Sequence, residues 1–217
     1  MSAFSRGSAR GAAVAAFLVA VGVFCWAWGS APFNLRERVF PKNLAEVEGG
    51  WLYRSGQIRP NLIEGTLREL KIDVIVDLTD DFRGKDKLQN AEVAAAQKLG
   101  IEIRRFPMRG DGVGTVDRYV GAVAEIARAG REGKHVLVHC RAGDRRTGGV
   151  LSAYEVLVKG ETVEAAREEM ERFTPDPSDE SKLTRFLDEH LDEIGQGLID
   201  AGVIERMPDS VSARAAL

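Results

Sequence analysis

Short apolar runs alternate with longer helical patterns along this chain, and that alternation limits its fold more than any other feature. Trp51–Arg54, Ile72–Leu78 (IDVIVDL), Ile101–Phe106 (IEIRRF) and His135–His139 (HVLVH) have the length and composition of strands. Between them Asn61–Lys71, Leu88–Leu99 and Val116–Ala129 carry apolar residues at i, i+3, i+4 spacing, and Thr147–Val158, Thr162–Phe173 and Ser181–Ile194 follow as further helical stretches. Asn61 and Thr162 stand where N-caps belong, and Gly100, Gly130 and Gly160 where C-caps belong. Strands joined through helices pair in parallel and need cover on both faces. The expected fold is therefore α/β, a central, mostly parallel sheet of four to five strands flanked by helices. In such sheets ligands bind beyond the carboxyl ends of the strands.

Composition narrows the function. With 217 residues, 44% hydrophobic and 29% charged, the chain is neither disordered nor a multi-span membrane protein. A net charge of −3 lacks the clustered basic excess of a nucleic-acid binder. Two cysteines exclude a disulfide-stapled scaffold, and His135, His139 and His190 show no metal-ligand spacing, so no metal or other cofactor is expected.

The N-terminus is a separate matter. Residues 1–10 form a short basic tail with Arg6 and Arg10, and no charge follows until Arg36. Gly11–Trp28 reads GAAVAAFLVAVGVFCWAW. As a helix it would reach about 27 Å, close to the ~30 Å of a bilayer's hydrocarbon. It has no polar stripe, unlike a buried core helix. Residues 11–33 are thus expected to be one transmembrane helix or signal segment. Small residues at Ala27, Gly29 and Ala31 offer a peptidase site, but Pro32 spoils the later one, and Trp26 and Trp28 suit an aromatic belt. The expectation is an uncleaved anchor with Cys25 facing lipid. A basic tail before an apolar stretch places the body outside the cytoplasm, in the periplasm or its equivalent. Residues 34–50, with Pro32 and Pro41 nearby and Gly49-Gly50 at the end, read as a linker, 51–195 as the folded body, and 196–217 as a tail.

The last strand runs directly into HCRAGDRRTGG. A tight loop opening a helix aims successive backbone N–H groups into one concavity, and the helix N-terminus adds partial positive charge. A tetrahedral oxyanion such as phosphate fits such a cup. Arg141, Ala142, Gly143, Asp144 and Arg145 supply the cup, and Arg146 closes it with an always-charged fork. Cys140 lies at its base, where the field favours the ionised sulfur that is the nucleophile. Thr147 places a hydroxyl able to donate to that sulfur. Gly143 permits close backbone approach. Asp144 must point outward to avoid repelling a dianion. His139 is expected to support the loop from behind, Arg54 and Ser55 (YRSGQ) to reach the site or to brace it, and Tyr154 and Glu155 to pack behind it.

HCRAGDRRTGG resembles the signature of the cysteine-dependent protein tyrosine and dual-specificity phosphatases, and WLYRSGQIRPNLIEGTLRELKIDVIVDLTDD resembles the opening of their small bacterial and atypical members. The resemblance spans about Gly50 to Phe173. It implies hydrolysis of a phosphate monoester in two steps, in which Cys140 attacks phosphorus and water then hydrolyses the phosphocysteine, without a metal. It also implies an aspartic acid on a mobile loop as proton donor. Asp111, 29 positions before Cys140 and flanked by Gly110 and Gly112, fits that place. Asp117, at the start of the next helix, is the runner-up. The implied partners are a phosphorylated protein or small phosphorylated molecule, with the membrane reached through the N-terminal helix and no nucleic acid. Basic residues in the loop keep an inositol phosphate or phosphoinositide among the substrates. A catalytically silent phosphate-binding module and a rhodanese-like sulfurtransferase are the rival readings.

Overall fold

The computed structural model describes residues 39–80, 84–174 and 181–212. Five strands, Ala45–Glu48 (β1), Leu52–Gly56 (β2), Val74–Asp77 (β3), Glu102–Arg105 (β4) and Val136–Cys140 (β5), form one sheet in the order β1-β2-β5-β3-β4. Only β1 is antiparallel to its neighbour, and β2, β5, β3 and β4 run parallel. Among the described residues seven helices accompany them: Ile63–Glu69 (α1), Lys87–Leu99 (α2), Val116–Arg131 (α3), Arg145–Leu157 (α4), Val163–Glu171 (α5), Ser181–Asp200 (α6) and Asp209–Ser212 (α7). The expected α/β sheet flanked by helices is present, with five strands.

The period-two geometry of the strands divides the core in two. Val74, Val76, Val136, Val138 and Cys140 face the layer built from α3, α4, α5 and α6, where Tyr119, Ile126, Leu151 and Ile194 are buried. Ile75 and Leu137 face the other way, onto Ile63 and Leu67 of α1 and Ala95 and Ala96 of α2. His139 and Cys140 are consecutive in β5, so their side chains leave opposite faces of the sheet. That places the histidine with α2 and the thiol with the helical layer containing α4.

Several boundaries differ from expectation. β1 lies inside the segment read as a linker; its pairing with β2 and the ion pair from Lys159 to Glu48 bind it to the body. α6 runs past residue 195 to Asp200, and Leu198 and Val211 of the expected tail are buried in the main core. The residue at the N-cap of α1 is Leu62, not Asn61, whereas Thr162 does cap α5, accepting from the Ala165 amide. Gly130 sits within α3 because a side chain there would meet the Trp51 ring at 2.6 Å; the left-handed turn falls at Gly133 instead.

The chain divides into Met1–Val39 and Phe40–Leu217. Apart from Val39, the first unit lies outside the described residues, and with it the expected basic tail and the helix expected over 11–33. Among the described residues no helix is long and apolar enough to cross a membrane.

Candidate active site

The carboxyl ends of the parallel strands converge on the loop between β5 and α4. Parallel register puts Gly56 beside Cys140 and Asp77 beside His139, so the segments after β2, β3 and β5 meet at one edge. Gly143 turns the loop with φ +76°, and a Cβ on it would lie 2.4 Å from the Gly56 nitrogen. Glycine is required there both by conformation and by space.

The loop's carbonyls are held from one side. Gln57 donates its backbone N–H to Arg141 O at 3.2 Å, Asn43 donates Nδ2 to Ala142 O at 2.9 Å, and Arg54 donates Nη2 to Gly143 O at 2.8 Å. In a trans peptide the next residue's N–H points opposite to the carbonyl. The N–H groups of Ala142, Gly143 and Asp144 therefore face away from β1 and β2. The Gly143 N–H does so onto the Cys140 sulfur, at 3.2 Å. Asp144, which threatened to repel an anion, instead caps α4, its Oδ1 accepting from the Arg145 amide at 2.7 Å. A nest of amides thus opens beside a buried sulfur at a helix N-terminus.

Arg146, in the first turn of α4, is 6% exposed, and its Nη1 donates at 3.3 Å both to Leu78 O, just after β3, and to Met108 O, after β4. The carboxylate of Asp80 lies 3.5 Å from the same nitrogen. Thr147 is fully buried, and its hydroxyl has no partner among the described residues. Arg141 reaches out to Asp86 at 3.2 Å.

Asp111 sits in the loop after β4, where its Oδ1 accepts from the Val113 amide at 3.1 Å and its Oδ2 lies 3.4 Å from Arg109 Nη2. The loop is tied to the site's scaffold through Tyr119, whose hydroxyl donates to Gly112 O at 2.8 Å, and through the Met108 carbonyl bound by Arg146. Burial, then the nearby Asp111 carboxylate, pushes the Tyr119 phenol far up, so it stays a donor. Asp117 is exposed in the first turn of α3, where the helix dipole favours a carboxylate.

Behind the loop, on the α2 face, lies a buried polar network that the sequence did not announce. His139 Nε2 is 2.9 Å from Glu92 Oε2 and 3.7 Å from Asp77 Oδ1. Burial alone would lower the imidazole pKa, but the two carboxylates outweigh it and hold it at about 10. Asp77 also accepts from Thr79 at its amide and hydroxyl, and Gln89 Nε2 bridges Asp77, Thr79 and the Asp80 carbonyl. Ligand atoms of Asp77, Glu92 and His139 lie within 4.8 Å of one another, a spacing that could hold a cation. The charged imidazolium already meets that need. The only sequence signal was that Gln89 and Glu92 sit three apart on the buried stripe of α2.

Arg54 reaches the site from beneath, 2% exposed, its guanidinium carbon 3.6 Å from the centre of the Phe173 ring. Burial lowers its pKa to about 10 against the pull of Glu169 and Cys140. Ser55 is buried, and its hydroxyl has no partner among the described residues. Tyr154 donates to Glu48 at 3.0 Å, and Glu155, pushed up to about 7 by burial and by Glu169, lies behind the loop as expected of a packing residue.

The architecture is shared with solved phosphatases. TpbA of P. aeruginosa is 24% identical, with 72% of this chain and 91% of that one covered and a TM-score of 0.58. The core catalytic domain of the PP-IP phosphatase Siw14 from S. cerevisiae, in complex with citrate, is 21% identical over 76% of this chain and 95% of that one, with a TM-score of 0.58. Tk-PTP in its active form is 23% identical over 68% and 97%, with a TM-score of 0.55. At these identities the likeness is one of fold. No curated protein matches the chain. Residues 52–161 match the family described as "Polymorphic toxin system, DSP-PTPase phosphatase" (Tc-R-P), about half of the sequence and all of the cysteine loop. The chain belongs to that family and is a cysteine-dependent phosphatase of the tyrosine and dual-specificity type.

Proposed function

We propose that this phosphatase removes a single phosphate from phosphorylated protein, with Cys140 as nucleophile and Asp111 as proton donor, while tethered to a membrane by residues 11–33. The observation that carries the reading is the amide nest beside the Cys140 sulfur, with the Gly143 N–H already directed at it. A phosphoryl group lying in that nest is bound by the N–H groups from Ala142 onward and by Arg146. The sulfur attacks phosphorus in line, the P–O bond to the leaving group breaks, and Asp111 gives its proton to the departing oxygen. Asp111, now a carboxylate, takes a proton from water as that water attacks the phosphocysteine. The S–P bond breaks, the Thr147 hydroxyl donates to the departing sulfur, and inorganic phosphate leaves.

Arg141 of the loop is ion-paired with Asp86 at 3.2 Å. A rim so compensated favours one phosphate on a protein over a densely charged polyphosphate. TpbA with one cysteine changed to serine has been captured with phosphotyrosine, on the same fold at 21% identity. The uncharged stretch between Arg10 and Arg36 supports the anchor, and the basic tail before it supports an extracytoplasmic body.

A substrate panel of phosphotyrosine, phosphoserine and phosphothreonine peptides, inositol phosphates and phosphoinositides tests the assignment. The expected result is turnover of phosphopeptides, abolished by Cys140→Ser and inhibited by vanadate. Preference for inositol phosphates would move the substrate class, phosphate binding without turnover would make the chain a silent module, and thiosulfate turnover would make it a sulfurtransferase. Alkaline-phosphatase fusions after residue 36 report sidedness, with an active fusion expected.

A further inference from the structure

The phosphate loop needs its peptide dipoles aligned before substrate arrives, because one flipped peptide would present a carbonyl to the dianion. The enforcement comes from outside the loop. We infer that Asn43 and Arg54 are positioning residues of this phosphatase, which fix the Ala142 and Gly143 carbonyls outward and so aim the Gly143 and Asp144 amides at the phosphoryl group. The inference rests on the reading of this loop as the phosphoryl site.

Asn43 lies ahead of β1, in the stretch whose composition suggested a linker. Its backbone takes φ +49°, a left-handed conformation that asparagine tolerates better than most side chains. The neighbouring Lys42 carbonyl accepts from the Gly56 amide at 2.7 Å, which clips this turn to the end of β2. From there Nδ2 reaches Ala142 O across 99 residues of sequence, at 2.9 Å. Local strain held in place by a long-range contact to a functional loop is the pattern of a residue kept for position.

Arg54 makes the same kind of contact at greater cost. A guanidinium with 2% exposure gives up most of its hydration. It recovers part of it from Gly143 O at 2.8 Å and from the face of Phe173. Its charge is favoured by Glu169, Cys140, Glu155 and Asp144, in that order. A leucine in that place would fill space more cheaply. What it would not do is hold a carbonyl away from the anion. The third carbonyl, of Arg141, is held by a backbone amide, Gln57 N–H, and so lies beyond the reach of side-chain substitution.

The test uses the full-length chain carrying Asn43→Gly, which keeps the left-handed turn and removes only the donor, and Asn43→Asp, which sets a carboxylate against the Ala142 carbonyl. Arg54→Lys is the companion variant, keeping charge while losing the planar fork. Thermal unfolding reports folding, steady-state kinetics with an aryl phosphate separate kcat from KM, and calorimetry gives the affinity for tungstate. The expected result for folded Asn43→Gly is about a 10-fold loss in kcat/KM and a matching loss of tungstate affinity, with Asn43→Asp worse and Arg54→Lys at least as impaired. Folded Asn43 variants with wild-type kinetics and wild-type tungstate affinity overturn the inference. Were the wild-type chain to turn over no phosphate ester, the phosphatase mechanism would fail on its own, and tungstate affinity alone would decide: weaker in the variants supports the positioning role, unchanged refutes it.

Discussion

His139 and Glu92 face each other at 2.9 Å with almost no exposure to water, and His139 lies one residue before Cys140, on the opposite face of their strand. The imidazole's pKa of about 10 means that it carries a fixed charge through the neutral range. Because the folded value lies above the ordinary 6.5, this pair's contribution to stability is complete below pH ~6.5 and is lost as pH rises through about 10. Denaturant unfolding of wild type and Glu92→Gln from pH 6 to 10 checks this. The difference between the two should be largest at the acid end and shrink steadily upward; a difference independent of pH would mean that the pair is neutral.

Gly143→Ala asks whether the loop's geometry is as tight as it looks. A left-handed φ alone costs a non-glycine residue about 1–2 kcal/mol, and the added methyl would also meet the backbone of Ser55 and Gly56. The expected outcome is a destabilisation of at least ~3 kcal/mol in urea, accompanied by loss of phosphatase rate. A variant that stays within ~0.5 kcal/mol of wild type would show that the loop can open without penalty.

Asp111→Asn should slow hydrolysis in proportion to the leaving group's need for a proton. Losses of about 10²–10⁴-fold are expected for alkyl or phenyl phosphates and much smaller ones for esters of acidic phenols. Equal losses across a leaving-group series would reject Asp111 as the acid, and a comparable selective loss in Asp117→Asn would move the role to the runner-up.

Residues 195–212 belong to the folded body. Leu198 is fully buried in the main core with Val211 close behind in burial. Leu198→Ala should cost about 2–5 kcal/mol of stability. A change below ~0.5 kcal/mol, measured by urea denaturation, would make the segment a loose tail after all.

What could be read from the sequence follows from how local each feature is. The four parallel strands and the loop after HVLVH rest on short-range pattern and turn chemistry, and both are where the pattern puts them. β1 was illegible because four residues, AEVE, pair only through the distant edge of β2. α6 continues beyond the expected Ile194 to Asp200, through Gly195 and Gly197, whose missing side chains give room to Met207 and Val120. Of the site, Cys140, Arg146 and Gly143 were visible as a motif. Asn43, Gln57 and Glu92 were not, since each acts on the loop or on His139 across a span that no local spacing encodes.

The central claim is that Cys140 carries the phosphoryl group between substrate and water. Rapid-quench trapping of the full-length enzyme with an aryl phosphate, followed by mass spectrometry of its peptides, tests this directly. One phosphoryl group is expected on the peptide containing Cys140, formed within a single turnover and absent in Cys140→Ser. Sustained turnover by Cys140→Ser, or turnover by wild type with phosphate trapped on another residue, would contradict it.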